Sequence, residues 1–185
     1  MYTIKNNINT LQDIVDHIVS ISNSEAAILG EKAVILAVKG WHPDIEGTFC
    51  FNFNELHNNC NAFLQNAIKT MVSDGYYSNL CWVGIRLTAK RCIIENKTFY
   101  IAIDKYLLDT DIKIFDKESI IGYDCNDEET EKIQTIYESV PMFTNVQIKE
   151  LFDIMEKCLL EFADRKILTS LITNADTKQL PVTSN

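Results

Sequence analysis

The sequence has few of the residues that build phosphate-binding loops. It holds only 6 glycines and 3 prolines in 185 residues, and the glycines are spread singly along the chain. Nucleotide-binding loops need several glycines close together, because their backbone N–H groups must approach the phosphates. Nucleotide chemistry therefore finds no support in the sequence.

Long apolar runs and paired cysteines are missing as well. The longest apolar runs, such as Ala33–Val38, are far shorter than the about 20 residues that a membrane-spanning helix needs. No two of the six cysteines have the Cys-x-x-Cys spacing of a redox or zinc site. No apolar core follows Lys5 to mark a secretory signal. We therefore expect no membrane contact, mostly buried thiols, and a cytoplasmic protein, or a virion component if the source is viral.

Positive charge is scarce in one third of the chain. Residues 104–164 contain 16 acidic side chains and 6 lysines, a balance of −10, whereas the rest of the chain carries +1 of the total of −9. Phosphate contacts need Lys and Arg, so we expect no direct nucleic-acid binding by this acidic subregion. One small basic cluster, interrupted by Glu95, is typical of a solvated strand face and consists of Arg86, Lys90, Arg91 and Lys97.

The order of apolar patterns predicts an α+β fold. Helical spacing predicts an N-terminal helix over 10–22, capped by Asn9 or Thr10, an internal helix from Asn54 to Gly75, and two C-terminal helices that begin near Asp127 and Thr144. Alternating or β-branched stretches predict strands at Lys32–Lys39, 49–53, Leu80–Leu87, Arg91–Glu95, Lys97–Asp104 and Asp111–Phe115. Strands in runs favour an antiparallel sheet packed by these four helices. We expect one domain over 1–172 and a polar tail over 173–185.

One loop carries candidate acid–base or metal-binding groups. His42, Asp44 and Glu46 lie between two glycines, and His57 follows on the next predicted helix. Imidazole and carboxylate groups can hold a divalent metal or transfer protons. The spacing matches no established metal motif, so the alternative is a connecting loop. Cys60, three residues after His57, is the cysteine best placed as a nucleophile, but it belongs to an apolar stripe and is expected to be buried.

These patterns identify no catalytic, metal-binding or cofactor-binding residue with a recognisable spacing, and no cofactor is expected. We therefore predict a non-enzymatic structural or interaction subunit of a larger assembly, such as a neck, connector or tail component of a phage virion. Its partners would be other protein subunits, for example in a homo-oligomeric ring. The predicted contact residues are acidic side chains of the third helix and residues of the tail: Asp127, Glu128, Glu129, Glu131, Thr177, Lys178, Gln179 and Leu180.

The sequence also allows two alternative functions. The acidic subregion suits an inhibitor or immunity protein that binds a basic partner, with an association that weakens as salt is added. The loop of His42, Asp44 and Glu46 suits a small metal-dependent hydrolase.

Overall fold

A computed structural model describes residues 8–40, 54–81, 84–111, 131, 134–135 and 137–176 of the chain, and only the backbone of 54–61 and 167–176. Its elements, in chain order, are α1 (Leu11–Ser22), β1 (Glu25–Leu29), a 3₁₀ turn (Glu31–Ala33), β2 (Ile35–Lys39), α2 (Asn54–Asp74), β3 (Tyr76–Leu80), β4 (Arg86–Ile94), β5 (Lys97–Leu108), β6 (Met142–Phe143) and α3 (Asn145–Asp176).

Five of the strands form an antiparallel sheet in the order β2-β1-β5-β4-β3, and the short β6 pairs parallel with the end of β5. The predicted α+β class with an antiparallel sheet is confirmed. Among the described strands, β1 lies next to the centre of the sheet and β2 and β3 form its two edges.

Helices cover both faces of the sheet. Side chains alternate between the two faces along a strand, and in β5 Phe99, Ile101 and Ile103 pack in one core with α1 and α3. Tyr100 and Ala102 point the other way, into a second core with α2. Phe99, Ile101 and Ile103 therefore share the face of the sheet that α1 and α3 cover.

The first helix begins as its sequence predicts. The Thr10 Oγ1 atom accepts a hydrogen bond from the Asp13 backbone N–H at 3.1 Å, and the Asp13 carboxylate accepts one from the Thr10 N–H at 2.9 Å. This reciprocal capping box satisfies backbone donors that have no partner inside a helix. Behind the cap, the side chains of Ile14, Val15 and Ile18 are fully buried.

Two predicted strands differ from the structure. A strand lies within Lys32–Lys39, as predicted, but it starts at Ile35 and is a mostly exposed edge strand rather than a buried one; the buried strand is β1, which no sequence pattern predicted. Leu80–Leu87 is not one strand but the hairpin between β3 and β4, since Leu80 pairs with Arg86. Leu80 and Cys81 precede the turn and Ile85 and Leu87 follow it, so this apolar stretch does not belong to a single strand.

The C-terminal region is helical, as predicted, although one boundary differs. The described residues between 131 and 138 are in helical backbone, and α3 begins behind a capping box in which Thr144 and Gln147 bond each other. The helix continues to Asp176, so residues 173–176, predicted as the start of the tail, are helical. The strand predicted at 49–53, and all of the strand at Asp111–Phe115 beyond its first residue, lie outside the described residues.

Candidate interaction site

Most of the site residues predicted from the sequence lie outside the described part of the chain. These are His42, Asp44, Glu46, Asp127, Glu128, Glu129, Thr177, Lys178, Gln179 and Leu180. His57 is described by its backbone alone, within α2, as is Cys60. Glu131 is exposed, and its carbonyl oxygen accepts a hydrogen bond from Thr135 Oγ1 at 2.9 Å.

Two of the described cysteines are placed as apolar core residues rather than as nucleophiles. Cys92 and Cys158 are buried in the core under α1 and α3. Burial raises the pKa of the Cys92 thiol to about 12 and that of Cys158 to about 11. A thiol must ionise to react, so these two side chains are inert at neutral pH.

Some carboxylates of the acidic subregion form ion pairs within the chain. The Asp111 carboxylate pairs with the Arg86 guanidinium, which donates from Nε at 2.9 Å, and Glu156 pairs with Lys90 at 2.7 Å. The basic cluster is divided by these contacts and by the pleat of β4, because Lys90 and Arg91 point to opposite faces of the sheet. The Arg91 side chain lies against Gly75.

A third acidic residue, Asp104, belongs to a partly buried carboxyl pair. Asp104 on β5 is the direct cross-strand partner of Glu25 on β1, and the Lys105 Nζ lies 3.4 Å from the Glu25 carboxylate. Desolvation, together with the charge of Asp104, raises the pKa of Glu25 to about 8. Desolvation also raises the pKa of Asp104 to about 7, although the charge of Lys105 and a hydrogen bond from its backbone N–H at 2.6 Å oppose this. Lys105 thus contacts both carboxyls, Glu25 with its ammonium group and Asp104 with its backbone N–H, and the pair can hold a proton near neutral pH.

The β2 edge of the sheet is closed to further strands along part of its length. The register between β1 and β2 shifts so that Leu36 is an extra, bulged residue between the pairs made by Ile35 and Ala37. The Gln12 side chain from α1 covers the next position, since its Nε2 donates to the Val38 carbonyl oxygen at 3.1 Å and its Oε1 accepts from the Val38 N–H at 3.3 Å. Bulges and covered backbone groups are common protections of an edge strand.

The β3 edge is open by comparison. The Gly75 carbonyl accepts from the Arg91 N–H and the Cys81 N–H donates to the Ile85 carbonyl, so residues 75 and 81 point toward β4. Backbone direction alternates along an antiparallel strand. The peptide groups of Tyr76, Ser78 and Leu80 must therefore point away from β4.

Only one of these outward N–H groups has a partner within the described part of the molecule. The Leu80 N–H donates to Asn79 Oδ1 at 2.9 Å, whereas the outward peptide groups of Tyr76 and Ser78 face no described strand. The Tyr76 side chain, 56% exposed, stands beside a groove of about 520 Å³ that separates the strand from α3. Ile148, Lys149 and Phe152 form the helical wall of this groove.

No sequence pattern predicts this edge, because the position of a strand at an edge is set by the order of the strands in the sheet. Tyr76 and Tyr77 follow the predicted helix stop at Gly75 and are good strand formers, which is the one signal that pointed to a strand here. The directions in which the N–H and C=O groups of β3 point follow only from its hydrogen bonds with β4.

Comparisons with known proteins add no relatives: no protein-family model, no curated protein and no solved structure matches the chain. Within the described residues, no helix is long and apolar enough to cross a membrane. Within the same residues, no three His, Cys, Asp or Glu side chains gather in a way that could hold a metal ion.

Proposed function

We propose that the chain is a structural interaction subunit of a larger assembly, and that two copies join by pairing β3 with β3. The observation that supports this is the contrast between the two sheet edges. The edge at β2 is interrupted by a bulge and covered at Val38 by Gln12. The edge at β3 presents the outward peptide groups of Tyr76 and Ser78, and an uncovered edge is a template for another strand.

The composition of β3 suits pairing with itself. In the antiparallel register centred on Ser78, the two Ser78 residues face each other and Tyr76 of each copy faces Leu80 of the other. These three residues lie on the same face of the strand, the face that lines the groove beside α3. Tyr76 is more than half exposed in the single chain, so pairing buries an aromatic side chain against an aliphatic one twice, which stabilises cross-strand pairs.

The protection of β2 favours a closed pair over a ring. A ring needs two different surfaces that bind head to tail, whereas a twofold dimer uses the same surface on both copies. Head-to-tail growth of this sheet would have to use β2, which is obstructed at Leu36 and Val38. We therefore propose a twofold dimer as the unit of assembly, in place of the ring expected from the sequence.

Sedimentation velocity on the purified full chain tests this proposal. We expect the wild type to dimerise with rising concentration and Tyr76→Lys to remain monomeric, because a lysine on an edge strand discourages pairing. Val34→Lys is the matched control, since Val34 is 60% exposed next to the opposite edge, and it should dimerise like the wild type. A wild type that stays monomeric at the highest soluble concentration overturns the proposal, as does a Val34→Lys variant that dissociates while Tyr76→Lys dimerises.

The dependence on salt separates this proposal from the inhibitor alternative. Two copies with a net charge of −9 each repel one another, so added salt should strengthen the dimer by screening that repulsion. An acidic inhibitor bound to a basic partner should instead be weakened by salt. Membership of a virion and the metal-dependent hydrolase stay predictions, tested by mass spectrometry of intact particles and by the metal content of the purified chain.

A further inference from the structure

A second concave site lies on the face of the sheet that α1 and α3 cover, away from the β3 edge. We call it the hairpin pocket, because the turn between β4 and β5 forms one wall. It has a volume of about 370 Å³, within the range of roughly 300–1,000 Å³ typical of small-molecule sites. Its apolar lining includes Leu11 from α1, Phe99 from β5, and Leu159 and Phe162 from α3.

Two lysines stand on the lining of the hairpin pocket. Lys97 follows the hairpin turn, and the Nζ of Lys166 lies 5.1 Å from the centroid of the Phe162 ring. No carboxylate of the described residues lies within 4 Å of either ammonium group. The remaining charged lining residue is Glu95, so the charged lining carries a balance of +1.

From this arrangement we propose that the hairpin pocket binds a fatty carboxylate, with the hydrocarbon chain among the apolar side chains and the carboxylate between Lys97 and Lys166. An apolar interior with a few charged groups is the usual design of a site for an amphipathic ligand. The balance of +1 matches a carboxylate, which carries one negative charge. A phosphate monoester carries about 1.5 to 2 negative charges at neutral pH and would leave part of its charge without a partner beside Glu95.

Binding is tested by calorimetric titration of the full chain with octanoate, decanoate and dodecanoate, each below its micelle concentration. Burying one methylene group is worth enough to tighten binding about fourfold. We expect the dissociation constant to fall by about that factor per added methylene until the hairpin pocket is full, and then to level off. Decanol, which has the same hydrocarbon chain without the charge, should bind about tenfold more weakly than decanoate.

Variants separate the apolar and charged parts of the hairpin pocket. The double variant Lys97→Met/Lys166→Met should weaken decanoate about tenfold and leave decanol nearly unchanged, because it removes the two charges and keeps an aliphatic side chain at each position. Lys157→Met, on the same helix and exposed, is the matched control and should bind like the wild type. Ala163→Phe places a ring in the hairpin pocket, which Ala163 lines, and should abolish the binding of both ligands while thermal unfolding shows that the chain is folded.

Three results would overturn the proposal. These are the absence of saturable decanoate binding, equal affinities for decanoate and decanol, and an unchanged decanoate affinity in the double lysine variant. The β3 variants do not touch the hairpin pocket, so Tyr76→Lys should bind decanoate normally whether or not it dimerises.

Discussion

Glu25 and Asp104 face each other across β1 and β5, and a single residue, Lys105, contacts both carboxyls. Its ammonium group lies 3.4 Å from Glu25, and its backbone N–H donates to Asp104 Oδ1 at 2.6 Å. Lys105 can do so because it has a left-handed backbone, with φ at 57°, at the point where the register between β4 and β5 shifts by one residue. Irregular residues of this kind redirect a side chain out of the normal alternation. The result is a partly buried cluster with more acid than base.

This cluster predicts a stability that falls as pH rises. The pKa of Glu25 is raised to about 8 and that of Asp104 to about 7, above the values of an unfolded chain. Between about pH 4 and pH 8 the folded chain therefore binds more protons than the unfolded chain. We expect the free energy of unfolding to fall from pH 5 and to level off above about pH 8, by on the order of 1.4 kcal/mol per pH unit for each carboxyl that is protonated only in the folded chain, as measured by urea denaturation.

The variant Glu25→Gln/Asp104→Asn removes both titrations and should flatten this slope. Glu31→Gln is the matched control, because Glu31 is exposed in the turn that follows β1, and its pH profile should follow the wild type. An unchanged slope in the double amide variant would show that the pair does not control the pH dependence.

The Arg86–Asp111 ion pair is predicted to stabilise the end of β5. The Asp111 carboxylate accepts from Arg86 and also from the Leu108 N–H at 2.8 Å, and its side chain is 8% exposed. Removing one partner leaves a poorly solvated charge, so Arg86→Met should lower the free energy of unfolding by about 3 kcal/mol. Lys90→Met breaks the more exposed pair with Glu156 and should cost about 0–1 kcal/mol.

Chemical denaturation at neutral pH measures both costs. The Arg86 guanidinium lowers the pKa of Asp111, so this contribution is present above the unfolded pKa of that carboxyl and is lost as the pH falls through its folded pKa. Equal losses for Arg86→Met and Lys90→Met would contradict the assignment of the buried pair.

Local sequence signals predicted the parts of the fold that depend on near neighbours. The Thr10 cap, the helix stop at Gly75 and the break between the predicted strands Arg91–Glu95 and Lys97–Asp104 each depend on residues within a few positions of one another. Gly75 has a φ of 78° and its N–H bonds the Met71 carbonyl, as expected of a glycine that ends a helix. Glu95 and Asn96 both have positive φ, the backbone of a tight hairpin turn.

Features that depend on distant partners were missed. β1 was not predicted because Glu25–Leu29 is short and carries a charge at its first residue, and the partner of that charge, Lys105, follows 80 positions later. The open edge at Tyr76 and the hairpin pocket likewise depend on strand order and on the packing of α3. No window of sequence contains both sides of these contacts.

Gly40 is predicted to be intolerant of a side chain. Its φ is 76°, and a Cβ added there would lie 2.7 Å from the Glu25 side-chain Cδ. Gly84 has a similar φ of 78°, but an added Cβ would meet its nearest atom, the Tyr137 hydroxyl, at 3.7 Å. Gly84→Ala should therefore cost only the backbone strain of about 1–2 kcal/mol, and Gly40→Ala should cost more, about 3 kcal/mol.

Thermal and urea unfolding of the two variants measure this difference. Adding Glu25→Ala should recover part of the loss in Gly40→Ala, because it removes the group that the new Cβ strikes. Equal costs at Gly40 and Gly84, with no recovery in the double variant, would mean that strain alone limits both positions.

Gln12 is predicted to restrain growth of the sheet at β2. Its side-chain amide bonds both the N–H and the carbonyl oxygen of Val38. Gln12→Ala therefore leaves these two backbone groups unbonded, at an edge that already exposes the side chains of Val34, Ile35 and Leu36. The bulge at Leu36 remains, but β2 then presents the peptide groups of Val38 and β3 those of Tyr76 and Ser78, and a chain with two different pairing edges grows head to tail into filaments. We expect Gln12→Ala to form species larger than a dimer, detected by light scattering and by binding of an amyloid-type dye.

The partner of Gln12 on α1 provides the control for this prediction. Gln12 Nε2 also lies 3.2 Å from Asp16 Oδ1, and Asp16→Asn keeps that acceptor and leaves Val38 covered, so it should assemble like the wild type. The double variant Gln12→Ala/Tyr76→Lys should stop the growth again, because head-to-tail pairing needs the β3 edge as well. Large species that persist in this double variant would show that Gln12→Ala aggregates by another route, such as partial unfolding of α1.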